Sequence, residues 1–80
     1  MTRQQISDKL ELIAQAVFGQ PELKISDELS ASNVPAWTSL TFTQFLSEIE
    51  HEFGFKFKMI EILKMKNMGA IIDSVLNHIG

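Results

Sequence analysis

Apolar residues return at helical intervals along most of this chain, with polar residues between them. Ile6, Leu10, Ile13, Val17 and Phe18 follow steps of four, three, four and one, which puts them on one face of a helix over about Thr2–Phe18. Arg3, Gln4, Lys9, Glu11 and Gln15 fall mainly elsewhere. Thr2 suits the N-cap, and Gly19 followed by Pro21 is a stop signal. A second stripe joins Phe42, Phe45, Leu46, Ile49 and Phe53 and predicts a helix that starts near Ser39 and stops at Gly54, a residue that accepts the left-handed conformation. Thr43, Gln44, Ser47, Glu48 and His51 lie opposite that stripe. The clearest pattern comes last: Met68, Ile71, Ile72, Val75, Leu76 and Ile79 predict a helix over about Asn67–His78, with Asn67 as its cap.

The segments between these stripes are of different kinds. Residues 19–38 carry no period. Pro21 and Pro35 bracket them, and Ser26, Ser30, Ser32 and Asn33 supply turn chemistry. A loop of about 20 residues is uncommon in so small a domain and argues for function or for internal anchoring. Leu23, Ile25, Leu29, Val34 and Trp37 are its expected anchors. Phe55, Phe57 and Met59 alternate with Lys56 and Lys58 as in a strand. No second strand is available to pair with them, so this stretch is expected to be an extended loop. A short third helix then covers about Met59–Met65. The fold class that follows is all-α: one domain over residues 1–80, a small four-helix bundle of three longer helices and a short third one, with a long loop between helices 1 and 2.

Composition narrows the function classes. The hydrophobic share, 45%, suffices for a core, but 80 residues bury a modest fraction of their surface. There is no cysteine, hence no disulfide and no thiolate metal site. His51 and His78 have no metal-ligand spacing and are expected at the surface. No apolar run approaches the roughly 18 residues of a membrane span, and the N-terminus lacks the pattern of a signal peptide. The formal net charge of −3 opposes nucleic-acid binding, which needs cationic surface.

Ser39 is the residue with the most chemistry to offer. A serine at a helix start is most often an N-cap. The same place also suits a phosphate, because the first amides of a helix are free and its dipole end is positive. No His or Asp stands in a recognisable triad relation to Ser39, so it is not expected to act as a catalytic nucleophile.

The sequence around Ser39 resembles the acyl carrier protein family. Members open the second helix with Asp-Ser-Leu, often after Trp. They end it with Ile/Leu-Glu-x-x-Phe-Gly and follow it with a short apolar and basic segment. This chain has Trp37, Ser39, Leu40, Ile49, Glu50, Phe53, Gly54 and Phe57 in that order and at that spacing. The likeness covers nearly the whole chain and departs from the family at one point, where Thr38 stands in place of Asp.

The resemblance implies that Ser39 carries 4′-phosphopantetheine, attached by a phosphopantetheinyl transferase, and that the chain is no enzyme itself. It implies a cytoplasmic monomer that presents an acyl or related group, held as a thioester, to acyl-loading and acyl-transferring or condensing enzymes. The exposed face of the second helix, with Thr38, Leu40, Thr43, Gln44, Ser47, Glu48 and His51, is the implied docking surface. In relatives it is acidic. Here Glu48, Glu50 and Glu52 keep acid at its C-terminal end, while Thr41, Thr43, Gln44 and Ser47 are uncharged. Weaker steering and a different set of partners are expected, in a specialised pathway (secondary metabolite, polyketide, modified lipid or surface polysaccharide) rather than in housekeeping fatty acid biosynthesis. The alternative is a carrier-like interaction module that is never modified and docks through the same helix.

Three further features stay open at this level. Lys56, Lys58, Lys64 and Lys66 are either solubilising charge or a contact to an acidic partner or to the pantetheine phosphate. Met59, Met65 and Met68 read as adaptable core filler. Ile60 and Leu63 are expected to be less buried than Ile62, because so short a helix cannot bury all three.

Overall fold

In the computed structural model, which describes residues 1–80, the chain forms four helices and no strand: α1 (Arg3–Phe18), α2 (Ser39–Phe53), α3 (Met59–Leu63) and α4 (Met68–Ile79). The expected all-α bundle is therefore present, with its long connection between α1 and α2.

Local chemistry sets the helix ends. Thr2 Oγ1 accepts the Gln5 amide at 3.1 Å and the Gln5 side chain accepts the Thr2 amide at 2.8 Å, a reciprocal box that satisfies two free donors. Gly19 and Gly54 end α1 and α2 at φ 65° and φ 76°, in the left-handed region where a side chain is strained. Asn67 Oδ1 caps α4 by accepting the Ala70 amide at 2.9 Å. The third helix is shorter than the sequence implies and stops at Leu63, with Lys64 closing it.

The core is wholly apolar. Fifteen buried side chains form one cluster, and no polar or charged side chain is buried among them. α1 packs against both α2 and α4 through Ile6, Leu10, Ala14 and Phe18. Ala14 was not evident in the stripe. It is the contact residue because a small side chain lets a neighbouring helix approach, and Ile13 and Val17 sit at the margin instead. α2 contributes Phe45, Leu46 and Ile49, and α4 contributes Met68, Ile71, Ile72 and Val75.

The long loop is not structureless. Four i+3 turns close within it, at Leu23, Leu29, Asn33 and Trp37. Val34 and Trp37 are buried, and Leu23, Ile25 and Leu29 pack against the core, as their pattern implied. Polar ties fasten the loop to two helices. Gln15 Nε2 donates to the Leu23 carbonyl at 2.9 Å, and Glu11 Oε2 accepts the Ile25 amide at 3.0 Å. At α4 the Leu29 and Asp27 carbonyls accept the Met68 and Gly69 amides at 2.7 and 3.0 Å. Arg3 crosses the junction with both ends occupied. It forms a bidentate pair with Asp27 at 3.2 and 3.0 Å, and its Nε reaches Asp73 at 3.0 Å. The hydrogen bonds from Asp27 and then Asp73 hold the guanidinium pKa above its ordinary value.

Candidate functional site

The mouth of α2 is built by a second reciprocal box. Thr38 Oγ1 accepts the Thr41 amide at 3.2 Å, and Thr41 Oγ1 accepts the Thr38 amide at 2.7 Å while donating to the Ala36 carbonyl at 2.6 Å. Of the two adjacent hydroxyls, it is Thr38 and not Ser39 that caps the helix. Thr38 has the extended backbone of a cap (φ −112°, ψ 176°), and Ser39 is the first helical residue. Its side chain is exposed and takes no part in the cap. The Phe42 amide is the first to donate within the helix, to the Thr38 carbonyl at 2.8 Å, so the earlier amides of Ser39 and Leu40 have no intrahelical acceptor and are free for a ligand. No acidic residue lies in the first turn. The arrangement offers an accessible hydroxyl, two unused donors and an uncompensated positive dipole end, which is the chemistry a phosphodiester needs.

An aromatic row sets the position of this mouth. Trp37 stacks on Phe42 of α2 (6.0 Å, 22° between planes) and on Phe18 of α1 (5.6 Å, 19°), and Phe18 meets Phe45 at 5.5 Å. Trp37 is 9% exposed. The residue before the box is thereby pinned to two helices, and Ser39 stands on a rigid element at the end of the loop.

The predicted docking residues fall on one side of α2. Leu40, Thr43, Gln44, Ser47, Glu48 and His51 are all exposed, as is Thr38. They form a ridge between two shallow grooves. One is lined by Gln44 and Glu48 with Leu12, Ile13, Ala16 and Val17 of α1. The other is lined by Ser47 and His51 with Glu50, Gly54, Phe55 and Lys56. Leu12 is 67% exposed and was not singled out, although its position off the α1 stripe was the available signal. Thr43 Oγ1 donates to the Ser39 carbonyl at 2.9 Å and so braces the first turn.

The acid at the end of α2 does not all face outward. Glu50 is half-buried. Its Oε2 accepts the Phe57 amide at 2.8 Å and its Oε1 lies 3.7 Å from Lys56 Nζ, which fastens the extended segment to α2. Glu52 turns toward α1, 3.3 Å from Lys9. Glu48 is left as the one carboxylate of the predicted ridge.

α3 hangs on a polar contact. None of its residues is buried, but Glu61 reaches across to α4. Ser74 Oγ donates to its Oε2 at 2.7 Å, His78 Nε2 lies 2.7 Å from Oε2, and the Lys58 amide donates to Oε1 at 2.7 Å. His78 is exposed as expected, and its ring also stacks on Phe55 at 4.3 Å with 10° between planes. The Lys58 amide first, then Ser74 and His78, hold the Glu61 pKa below its ordinary 4.5. A depressed carboxylate stabilises the fold above its ordinary value, and that contribution is lost as pH falls through the folded value. Wild type is therefore expected to exceed Glu61→Gln in urea midpoint above pH 4.5, with the gap closing below it. A gap constant from neutral pH down to acid unfolding would remove Glu61 as its source.

No family model and no curated protein matches the sequence. Among solved structures, the chain is similar to a holo acyl carrier protein from Geobacter metallireducens, determined in solution by NMR. The two share 30% identity with a TM-score of 0.85, over 90% of this chain and 83% of that one. No helix is long and apolar enough to cross a membrane.

Proposed function

The chain belongs to the acyl carrier protein family, and from that premise we propose that it holds an acyl or related group as a thioester on 4′-phosphopantetheine joined to Ser39 Oγ. The observation that carries this reading is the division of labour at the α2 mouth: Thr38 does the capping, which leaves the exposed Ser39 hydroxyl free for modification. The holo state of the similar carrier supports the same group here. When attached, the group supplies a terminal thiol on a flexible arm.

The protein's own residues position and present. The free Ser39 and Leu40 amides would offer the phosphodiester two donors, and Trp37 and the Thr38–Thr41 box anchor the turn. Separate enzymes load, elongate or transfer the cargo and meet the chain along the α2 ridge of Leu40, Thr43, Gln44, Ser47, Glu48 and His51. With one carboxylate on that ridge, long-range steering is weak, which favours partners of a specialised pathway.

Incubation with a broad-specificity phosphopantetheinyl transferase and coenzyme A tests the proposal. Intact mass is expected to rise by one phosphopantetheine. An unmodified product, under conditions where a control carrier is converted, would instead favour the unmodified interaction module.

Position 38 sets the rate of that reaction. Threonine satisfies the cap but lacks the carboxylate that family members place beside the serine. One charged hydrogen bond contributes about 1.5–3 kcal/mol, or roughly ten- to a hundredfold in rate when it forms fully in the transition state. Thr38→Asp is expected to speed modification by a general transferase by that factor. Thermal stability should change little, since Asp is also a good cap. Equal rates would show that the enzyme does not read this position.

A further inference from the structure

Three of the chain's six exposed large hydrophobic side chains sit on the five residues of α3: Met59, Ile60 and Leu63, at 69%, 56% and 69% exposure. At 100° per residue they share an arc of about 100°, opposite Glu61 and Ile62, which face the bundle. The patch has a charged frame. Lys56, Lys58, Lys64 and Lys66 are four of the seven basic residues of the chain, gathered into eleven positions. The one carboxylate within that span, Glu61, is turned away and occupied by Ser74, His78 and the Lys58 amide. Lys58, Lys64 and Lys66 have no ion-pair partner, and Lys56 is 86% exposed beside Glu50. A net charge of +3 over residues 55–66 thus stands on a protein whose total is −3.

We propose that α3 and its flanking lysines form a second docking surface, separate from the α2 ridge, for an acidic protein surface with an apolar centre, of which an acidic amphipathic helix is the minimal form. An exposed apolar cluster rimmed by charge marks an interaction site, and methionine is enriched in interface cores. Unpaired lysines at the rim select a carboxylate-bearing partner and speed its encounter. An anionic bilayer fits less well. The exposed set has no aromatic anchor, α3 has little more than one turn, and the protein as a whole carries the same sign as such a surface. The surface does not depend on the modification of Ser39.

The test is an amide NMR titration of the full chain with three probes: a Glu/Leu amphipathic helical peptide, its Lys/Leu counterpart, and vesicles of phosphatidylcholine with phosphatidylglycerol. The acidic peptide is expected to shift the amides of residues 56–66, equally in wild type and Ser39→Ala. Its affinity should fall about tenfold in Lys64→Glu/Lys66→Glu, and again when salt is raised from about 50 to 300 mM. Ile60→Ser/Leu63→Ser keeps the charges and should weaken binding by a similar factor, with the remaining amide spectrum unchanged. Shifts confined to α2, stronger binding of the basic peptide at residues 56–66, or vesicle binding in place of peptide binding would overturn the proposal.

Discussion

Trp37→Ala is expected to lower stability by about 3–5 kcal/mol, the range for losing a large aromatic side chain from a packed site. The ring lies between Phe18 and Phe42 and is 9% exposed, so its removal opens a gap where the loop, α1 and α2 meet. A chain of 80 residues has a total stability of roughly 4–12 kcal/mol at the usual share per residue. The substitution therefore takes away a large part of what holds the fold, and the urea midpoint should fall steeply. Trp37→Phe keeps a stacking partner and should recover much of the loss. If Trp37→Ala left the midpoint unchanged, the ring would contribute nothing to anchoring the loop.

Ser39→Ala is expected to abolish modification outright, because no other hydroxyl occupies the exposed first position of α2. Fold and stability should be nearly untouched. The hydroxyl takes no part in the cap, and alanine is the best helix former, so a change within about 0.5 kcal/mol is expected. Thr38→Ala should behave in the opposite way. It removes a cap worth about 0.5–2 kcal/mol while keeping the hydroxyl that accepts the group. Intact mass and urea midpoint, measured on the two variants side by side, separate attachment from capping. A full-mass adduct on the alanine variant at position 39 would move the attachment elsewhere.

Most of the helical framework was legible because it depends on short-range rules. The stripe Phe42–Phe45–Leu46–Ile49–Phe53 needs only the helical period, and Gly19 and Gly54 stop their helices through a conformation local to one residue. The apolar anchors of the loop were legible for the same reason, since a tryptophan and a run of branched residues in a polar stretch have few places to go. Ile60 and Leu63 were rightly expected to lie further out than Ile62.

Which hydroxyl caps and which stays free was not legible, because Thr38 and Ser39 are adjacent and both competent. The choice follows from Thr41, which pairs with Thr38 through its amide and its hydroxyl while that hydroxyl donates to the Ala36 carbonyl. Met59 was expected in the core with Met65 and Met68, yet it is 69% exposed while the other two are buried. The three methionines share no single helix: α3 ends at Leu63, Met65 follows it, and Met68 opens α4. His78 and Glu61 are 17 residues apart and join only because α3 lies against α4. The acid of α2 was readable as a row of glutamates, but not its division into an outward Glu48, a Glu50 bound to the Phe57 amide and a Glu52 facing Lys9.

By itself, then, the chain determined its class of fold, its helix stripes, its loop anchors and the serine to examine, since each follows from period, side-chain type or a motif read along a line. Tertiary structure alone decided which charges face outward and which side chains of α3 are left uncovered. Those depend on distances between residues far apart in sequence, and such distances exist only once α1 has gathered α2, α4 and the loop around one apolar core.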